Sequence, residues 1–153
     1  MEQLQTKIAD KFCGLLSSLA QSRNEFEMVA DEVEDCNLRT ALNGLSTETD
    51  LFAHEIANQL KSLGITDALK TSYFDACLEE GNNFTGSPEH AGHGNELLAI
   101  CNNKEHSITK AYWEILNEYV PFPTLRDIMT YQLNALKFAF MKIKMLNSAR
   151  FAS

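Results

Sequence analysis

Apolar residues recur every three or four positions over four long stretches of this 153-residue chain. In an α-helix that spacing places them on one face, so each stretch predicts an amphipathic helix with one buried side. The first stripe contains Ile8, Phe12, Leu15, Leu19, Ser22, Phe26, Val29 and Val33, and the others cover residues 38–63, 97–119 and 125–146. No strand-like alternation competes with them, so the sequence predicts an all-α protein.

Turn-forming residues divide the stripes into helices predicted at residues 3–35, 37–63, 67–80, 95–120 and 124–148. Gly64 suits a left-handed cap at the end of the second helix. Pro121 and Pro123 separate the last two long helices, and Thr124 is the predicted cap of the final one. The short link between the first two helices predicts antiparallel packing.

These elements predict a single domain over residues 1–153, folded as an antiparallel four-helix bundle. The short helix at 67–80 lies in the connection between the second and third long helices. That connection ends in the irregular run GNNFTGSPEHAGHG. Whether residues 64–94 cross over the bundle is open from the sequence.

Charge and cysteine content limit the classes of function. A formal net charge of −8 argues against nucleic-acid binding, which depends on clustered Lys and Arg. The cysteines Cys13, Cys36, Cys77 and Cys101 form no CxxC pair, so neither a zinc knuckle nor a disulfide framework is indicated. Neither a signal sequence nor a long apolar run is present, which predicts an unanchored cytoplasmic protein.

A four-helix bundle can hold a di-iron centre, which takes a Glu from two helices and a Glu-x-x-His motif from each of the other two. Here the position three residues before His54 is Leu51, and the fourth helix contains no histidine. The two-site motif is therefore incomplete. His54 is predicted to face water, and Glu25 and Glu27 lie off the first stripe and are predicted to be solvated.

Polar side chains nevertheless interrupt the apolar stripes near the middle of each helix. Ser22, Thr49, Glu105 and Gln132 occupy these positions, and Tyr112 lies on the same stripe as Glu105. A buried carboxylate needs donors, and hydroxyl and amide groups on neighbouring helices can supply them. The sequence predicts a polar layer inside the bundle with Glu105 as its carboxylate.

The alternative is a site that binds one transition-metal ion or performs acid/base chemistry. Glu105, His106 and Glu48 are its candidate residues, although His106 lies about 100° from Glu105 around the helix. A second candidate group surrounds the start of the third long helix and contains Glu89, His90, His93 and Glu96. Histidines beside glycine more often belong to a flexible surface, so the polar layer is favoured over both metal sites. Trp113 is a candidate contact for the connecting segment or for a partner.

The chain resembles a family of small bacterial ferritin-like four-helix-bundle proteins without an assigned activity. The resemblance rests on the run AQSRNEFEMVADEVEDCNLRTALNGLSTETDLFAHEIANQLKSLG, on the spacing of Cys101, Glu105 and Tyr112, and on a final helix containing Gln132. It implies a ferritin-like fold and no established reaction. The chain departs from the family pattern in its longer GNNFTGSPEHAGHGN segment and in the absence of histidine from the last helix.

The sequence therefore predicts a non-enzymatic, acidic cytoplasmic bundle that is stress-associated or serves as a protein-interaction module. A homo-oligomer or another protein is the expected partner, with no membrane or nucleic acid involved. No cofactor is expected. The alternative function is a metal-binding or redox bundle with its site near Glu105.

Overall fold

Four helices make up the fold in the computed structural model, which describes residues 2–65, 94–118 and 122–152. They are α1 (Glu2–Glu32), α2 (Cys36–Ser62), α3 (Gly94–Leu116) and α4 (Pro123–Ala152). Side chains are described for residues 9–65, 99–118 and 122–149. No strand occurs within the described ranges, which confirms the all-α prediction for them. The short helix predicted at 67–80 lies outside the described residues.

The helices occupy the four corners of a bundle. Helix α1 packs against α2 and α3, and α4 packs against the same two helices. Lys11 of α1 contacts Glu118 beyond the end of α3, whereas Glu25 contacts Lys104 near its middle, so α1 and α3 are antiparallel. Because α2 is also antiparallel to α1, α2 and α3 run in the same direction at diagonal corners. The end of α2 and the start of α3 consequently lie at opposite ends of the bundle.

The predicted apolar stripes form the core. Phe26 of α1 and Phe140 of α4 meet across the bundle with ring centroids 5.6 Å apart. The other large side chains that are almost completely buried include Phe12, Leu15, Leu16, Leu19, Leu38, Leu42, Leu45, Ile56, Leu60 and Tyr112. Burial of a Leu or Phe side chain contributes about 1.5–3 kcal/mol, so these stripes supply the main driving force for packing.

The link between α1 and α2 is fixed by two side chains. Asp35 is the N-cap of α2, and its carboxylate accepts a bond from the backbone N–H of Leu38 at 2.8 Å. The Arg39 guanidinium donates a hydrogen bond to the carbonyl of Val33 at 2.7 Å. This carbonyl lies just beyond the end of α1 and would otherwise lack a helical partner. The prediction that the first helix continues to Asp35 was therefore three residues too long, because Asp35 serves the next helix.

The turn after α2 has the predicted glycine cap. Gly64 has φ +76°, and its N–H donates to Lys61 O at 3.1 Å while the N–H of Ile65 donates to Leu60 O at 2.9 Å. This pair of bonds is the Schellman motif. At the start of α4 the prediction was wrong by one residue. Pro123 opens the helix, where a missing N–H costs nothing, so Thr124 is already inside it.

Gly64 and Gly14 provide a matched test of the turn. We expect Gly64→Ala to lower the free energy of unfolding by about 1 kcal/mol, because a Cβ disfavours positive φ. Gly14 is an exposed residue within α1, and a Cβ there would meet nothing within 4 Å. Gly14→Ala should raise the same free energy by about 0.5–1 kcal/mol. Urea unfolding of both variants measures the two changes in the free energy of unfolding. A decrease in both variants would contradict this account.

Candidate functional site

A buried chain of hydrogen bonds joins three helices near the middle of the bundle. The Tyr112 hydroxyl on α3 donates to Gln132 Oε1 on α4 at 2.8 Å. The amide nitrogen of Gln132 donates to the carbonyl of Phe52 at 3.3 Å and to Glu55 Oε2 at 3.2 Å, both on α2. Gln132 and Tyr112 are fully buried. Every polar atom of the Gln132 side chain therefore has a partner within the protein.

This environment keeps the Tyr112 phenol protonated. Burial raises its pKa well above the usual range, and the nearby carboxylates of Glu55 and Glu48 raise it further. A neutral phenol can donate to Gln132, whereas a phenolate cannot. The Tyr112 hydroxyl consequently acts as a fixed structural donor near neutral pH.

Ser22 and Thr49 are buried but do not join this chain of bonds. The Ser22 hydroxyl donates to Ser18 O at 2.7 Å and the Thr49 hydroxyl to Ser46 O at 2.8 Å, each within its own helix. Ser46 instead links two helices, since its hydroxyl donates to Arg23 O at 3.1 Å. The structure therefore brings together only Tyr112 and Gln132 from the predicted layer, and it adds Glu55.

Glu105 lies at the edge between α3 and α4, with 28% of its side-chain surface exposed. Its Oε1 accepts a bond from Lys144 Nζ at 2.8 Å. The prediction that Glu105 is the deeply buried carboxylate of a polar layer is therefore corrected. A residue about 40° from the centre of an apolar stripe can lie at a helix–helix boundary, where a long lysine from the next helix reaches it.

The deeply buried carboxylate is Glu25, which the sequence had assigned to solvent. Its Oε2 lies 2.6 Å from Lys104 Nζ, and only 6% of the Glu25 side chain is exposed. Burial lowers the pKa of Lys104, because a low dielectric disfavours the ammonium form. The periodicity of α1 alone could not reveal this pair, because the partner comes from another helix.

Lys104 and Glu105 together tie α3 to both of its neighbours. They are adjacent in sequence and point to different sides of α3, where Lys104 meets α1 and Glu105 meets α4. Helix α3 contributes the positive charge to the first ion pair and the negative charge to the second. Exchanging α1 and α4 around α3 would place Glu25 beside Glu105 and Lys104 beside Lys144, which like-charge repulsion disfavours.

A shallow pocket of about 340 Å³ on the α3–α4 face contains two of the proposed metal ligands. Its lining residues are Asn102, Glu105, His106, Thr109 and Lys137. Lys137 lines this pocket and Lys144 pairs with Glu105, and these two positive charges oppose a divalent cation. Lys137 Nζ also lies 5.8 Å from the ring centre of Trp113, whose side chain is partly exposed. Glu48 lines a separate groove and does not meet Glu105.

Among the described residues, no group of three or more His, Cys, Asp and Glu side chains is placed to hold a metal ion. Glu89, His90 and His93 lie outside the described residues, as does the side chain of Glu96. The Cys101 thiol is buried, and burial raises its pKa to about 12 although Lys144 acts in the opposite direction. It therefore remains a protonated, unreactive core group.

The outer surface of α2 and α4 carries features that the sequence prediction missed. A groove of about 730 Å³ runs between the two helices, here called the α2–α4 groove, and its lining includes Ala41, Gly44, Glu48, Ala135, Phe138, Ala139 and Lys142. The α4 seam beside it consists of the exposed side chains Tyr131, Phe138, Met141 and Met145. The seven-residue spacing of Tyr131, Phe138 and Met145 in the sequence indicates a second apolar stripe on α4.

Comparisons with known proteins do not assign this arrangement. No family model, no curated protein and no solved structure matches the chain. None of the described helices is long and apolar enough to cross a membrane. The ferritin-like family assignment therefore stays a prediction from the sequence.

The two ion pairs of α3 differ in burial and give a matched prediction. Glu25→Gln should lower the free energy of unfolding by about 2 kcal/mol, because Lys104 is left partly buried without a countercharge. Glu105→Gln should cost less than about 1 kcal/mol, since this pair is partly solvated. Chemical denaturation at low and high salt compares the variants. An equal cost for both, or a larger one at Glu105, would contradict the assigned burial.

Tyr112 yields a prediction about alkaline stability. Tyr112→Phe should cost about 1–2 kcal/mol near pH 8, because Gln132 Oε1 loses its donor. The folded-state pKa of Tyr112 is raised, so this phenol contributes stability that is present below the unfolded pKa of about 10 and lost above it. The difference in the free energy of unfolding between wild type and Tyr112→Phe should therefore become smaller as the pH rises above about 10. Urea titrations across this range measure it, and a constant gap would argue against the buried phenol.

Proposed function

We propose that this chain is a ferritin-like helical bundle that acts in the cytoplasm as a non-enzymatic protein-interaction module. The diagonal, parallel placement of α2 and α3 supports the ferritin-like part of the proposal, because ferritin-like bundles contain one long crossover connection. The resemblance of the first helix pair and of the Cys101, Glu105 and Tyr112 spacing supports it as well.

The α4 seam is the observation that carries the interaction role. Tyr131 and Phe138 expose 67% and 64% of their surfaces, and Met145 exposes 64%. Large apolar side chains gathered on one face of a soluble protein mark sites of association, because water contact with them is unfavourable. Aromatic residues and methionine are also enriched at protein interfaces.

The polar groups at the centre support a structural role for the bundle interior. Gln132 forms hydrogen bonds with both Tyr112 and Glu55, and Glu25 pairs with Lys104. Catalytic groups must contact a substrate, whereas the contacts of these side chains join one helix to another. The interior can therefore hold the outer face in place without performing chemistry.

The metal-binding or redox alternative remains a second proposal because Glu105 and His106 line one pocket. It is tested by elemental analysis of protein purified without chelator. Under the interaction proposal, wild type and Glu105→Gln contain the same trace metal. One equivalent of iron, manganese or zinc that disappears in Glu105→Gln would establish the alternative instead.

Photo-crosslinking in cells tests the interaction role directly. A benzophenone amino acid at position 138 should form discrete adducts, because the α4 seam contacts a partner. The same amino acid in place of Glu27, an exposed residue of α1 at the diagonal corner, is the control and should form few adducts. Mass spectrometry identifies the crosslinked chains. Equal labelling from both positions, or none from position 138, would contradict an interaction surface on α4.

A further inference from the structure

We propose that the α4 seam and the α2–α4 groove bind a second copy of this chain, which forms a twofold-symmetric dimer. This inference rests on the proposed interaction function and names its partner. In a twofold interface the same surface is used by both copies, so it must offer both the protruding and the receiving parts of the contact. The α2 and α4 surface contains both.

The protruding part is the α4 seam. Tyr131, Phe138 and Met145 follow one another at intervals of seven residues, and Met141 lies three residues after Phe138. A spacing of seven with an intermediate step of three or four is the pattern by which helices pack side by side in coiled coils. The same helix already buries its opposite side in the bundle core through Leu136. Helix α4 therefore has two apolar faces, and only one of them is covered within the described chain.

The receiving part is the α2–α4 groove. Four of its eleven lining residues are small, namely Ala41, Gly44, Ala135 and Ala139, and Phe138 of the same copy lines it as well. A Cβ added at Gly44 would meet nothing within 4 Å, which shows open space above this position. A volume of about 730 Å³ can accept several large side chains. Phe138 and Met145 of a second copy are apolar groups of suitable size.

The charges also favour a second copy. Glu48 lines the groove from α2 and Lys142 lines it from α4. Within the described part of the chain, no ion pair joins either residue to a partner. A twofold axis that crosses this groove would place the α4 side of one copy against the α2 side of the other, where each Glu48 can meet the Lys142 of the opposite copy. Burial raises the pKa of Glu48, and an approaching ammonium would favour its charged form.

Sedimentation velocity of the full chain from nanomolar to hundred-micromolar concentration tests the proposal. The wild type should sediment as a reversible dimer at the higher concentrations. Phe138→Glu should weaken self-association about a hundredfold, since it places charge at the centre of the interface. Trp113→Glu is the matched control, because it changes an exposed aromatic residue outside the seam, and it should leave association unchanged. Circular dichroism establishes that both variants are folded.

A charge exchange supplies a second, independent readout. Glu48→Lys and Lys142→Glu should each weaken the dimer about tenfold, because each places like charges across the interface. The double variant should recover wild-type association. Failure of recovery in folded protein would overturn the assigned pairing. A wild type that stays monomeric at all concentrations would overturn the dimer itself.

Crosslinking from position 138 separates failure of this inference from failure of the proposed function. An adduct between two copies supports both. An adduct only with a different protein, together with a monomeric purified chain, overturns the dimer and leaves the interaction function in place. An adduct only with residues 66–93 of the same chain overturns both, because the α4 seam would then be covered internally.

Discussion

The docking of two antiparallel helix pairs is the constraint on which this structure depends. Short links define α1–α2 and α3–α4 as pairs, but they do not decide how one pair sits on the other. Apolar burial drives the pairs together without specifying which helix faces which. Directional contacts add that information. Lys104 meets Glu25 between α1 and α3, and Gln132 meets Glu55 between α4 and α2.

These contacts explain how polar residues can occupy the interior of a bundle. An isolated carboxylate or amide would be costly there, whereas Glu25 has an ammonium partner and Gln132 has three hydrogen-bond partners. These interior side chains consequently fix the positions of the helices. They thereby also position the outer face of α2 and α4, where exposed apolar groups lie beside an open groove.

Periodicity alone was sufficient to predict the helices, because a buried stripe must repeat every three or four residues. It also predicted the burial of Tyr112 and Gln132 and the glycine cap at Gly64. It failed for Glu25 and Glu105, whose environments depend on lysines from other helices. Single-helix angles give the direction of a side chain and carry no information about its cross-helix partner. The α4 seam was overlooked for a related reason, since two apolar stripes on one helix can be separated only when the core side is known.

In the proposed dimer, the bundle interior is structural and the outer α4 face is covered by a second copy of this chain. Peroxide oxidation of the methionines, followed by mass spectrometry at low and high protein concentration, tests this most directly. Met141 and Met145 should oxidise rapidly in dilute protein because they are exposed, and slowly in concentrated protein because a second copy covers them. Met129 is fully buried and should oxidise slowly at both concentrations. Slow oxidation of Met141 and Met145 in dilute protein would contradict their exposure, and rapid oxidation at both concentrations would contradict the dimer.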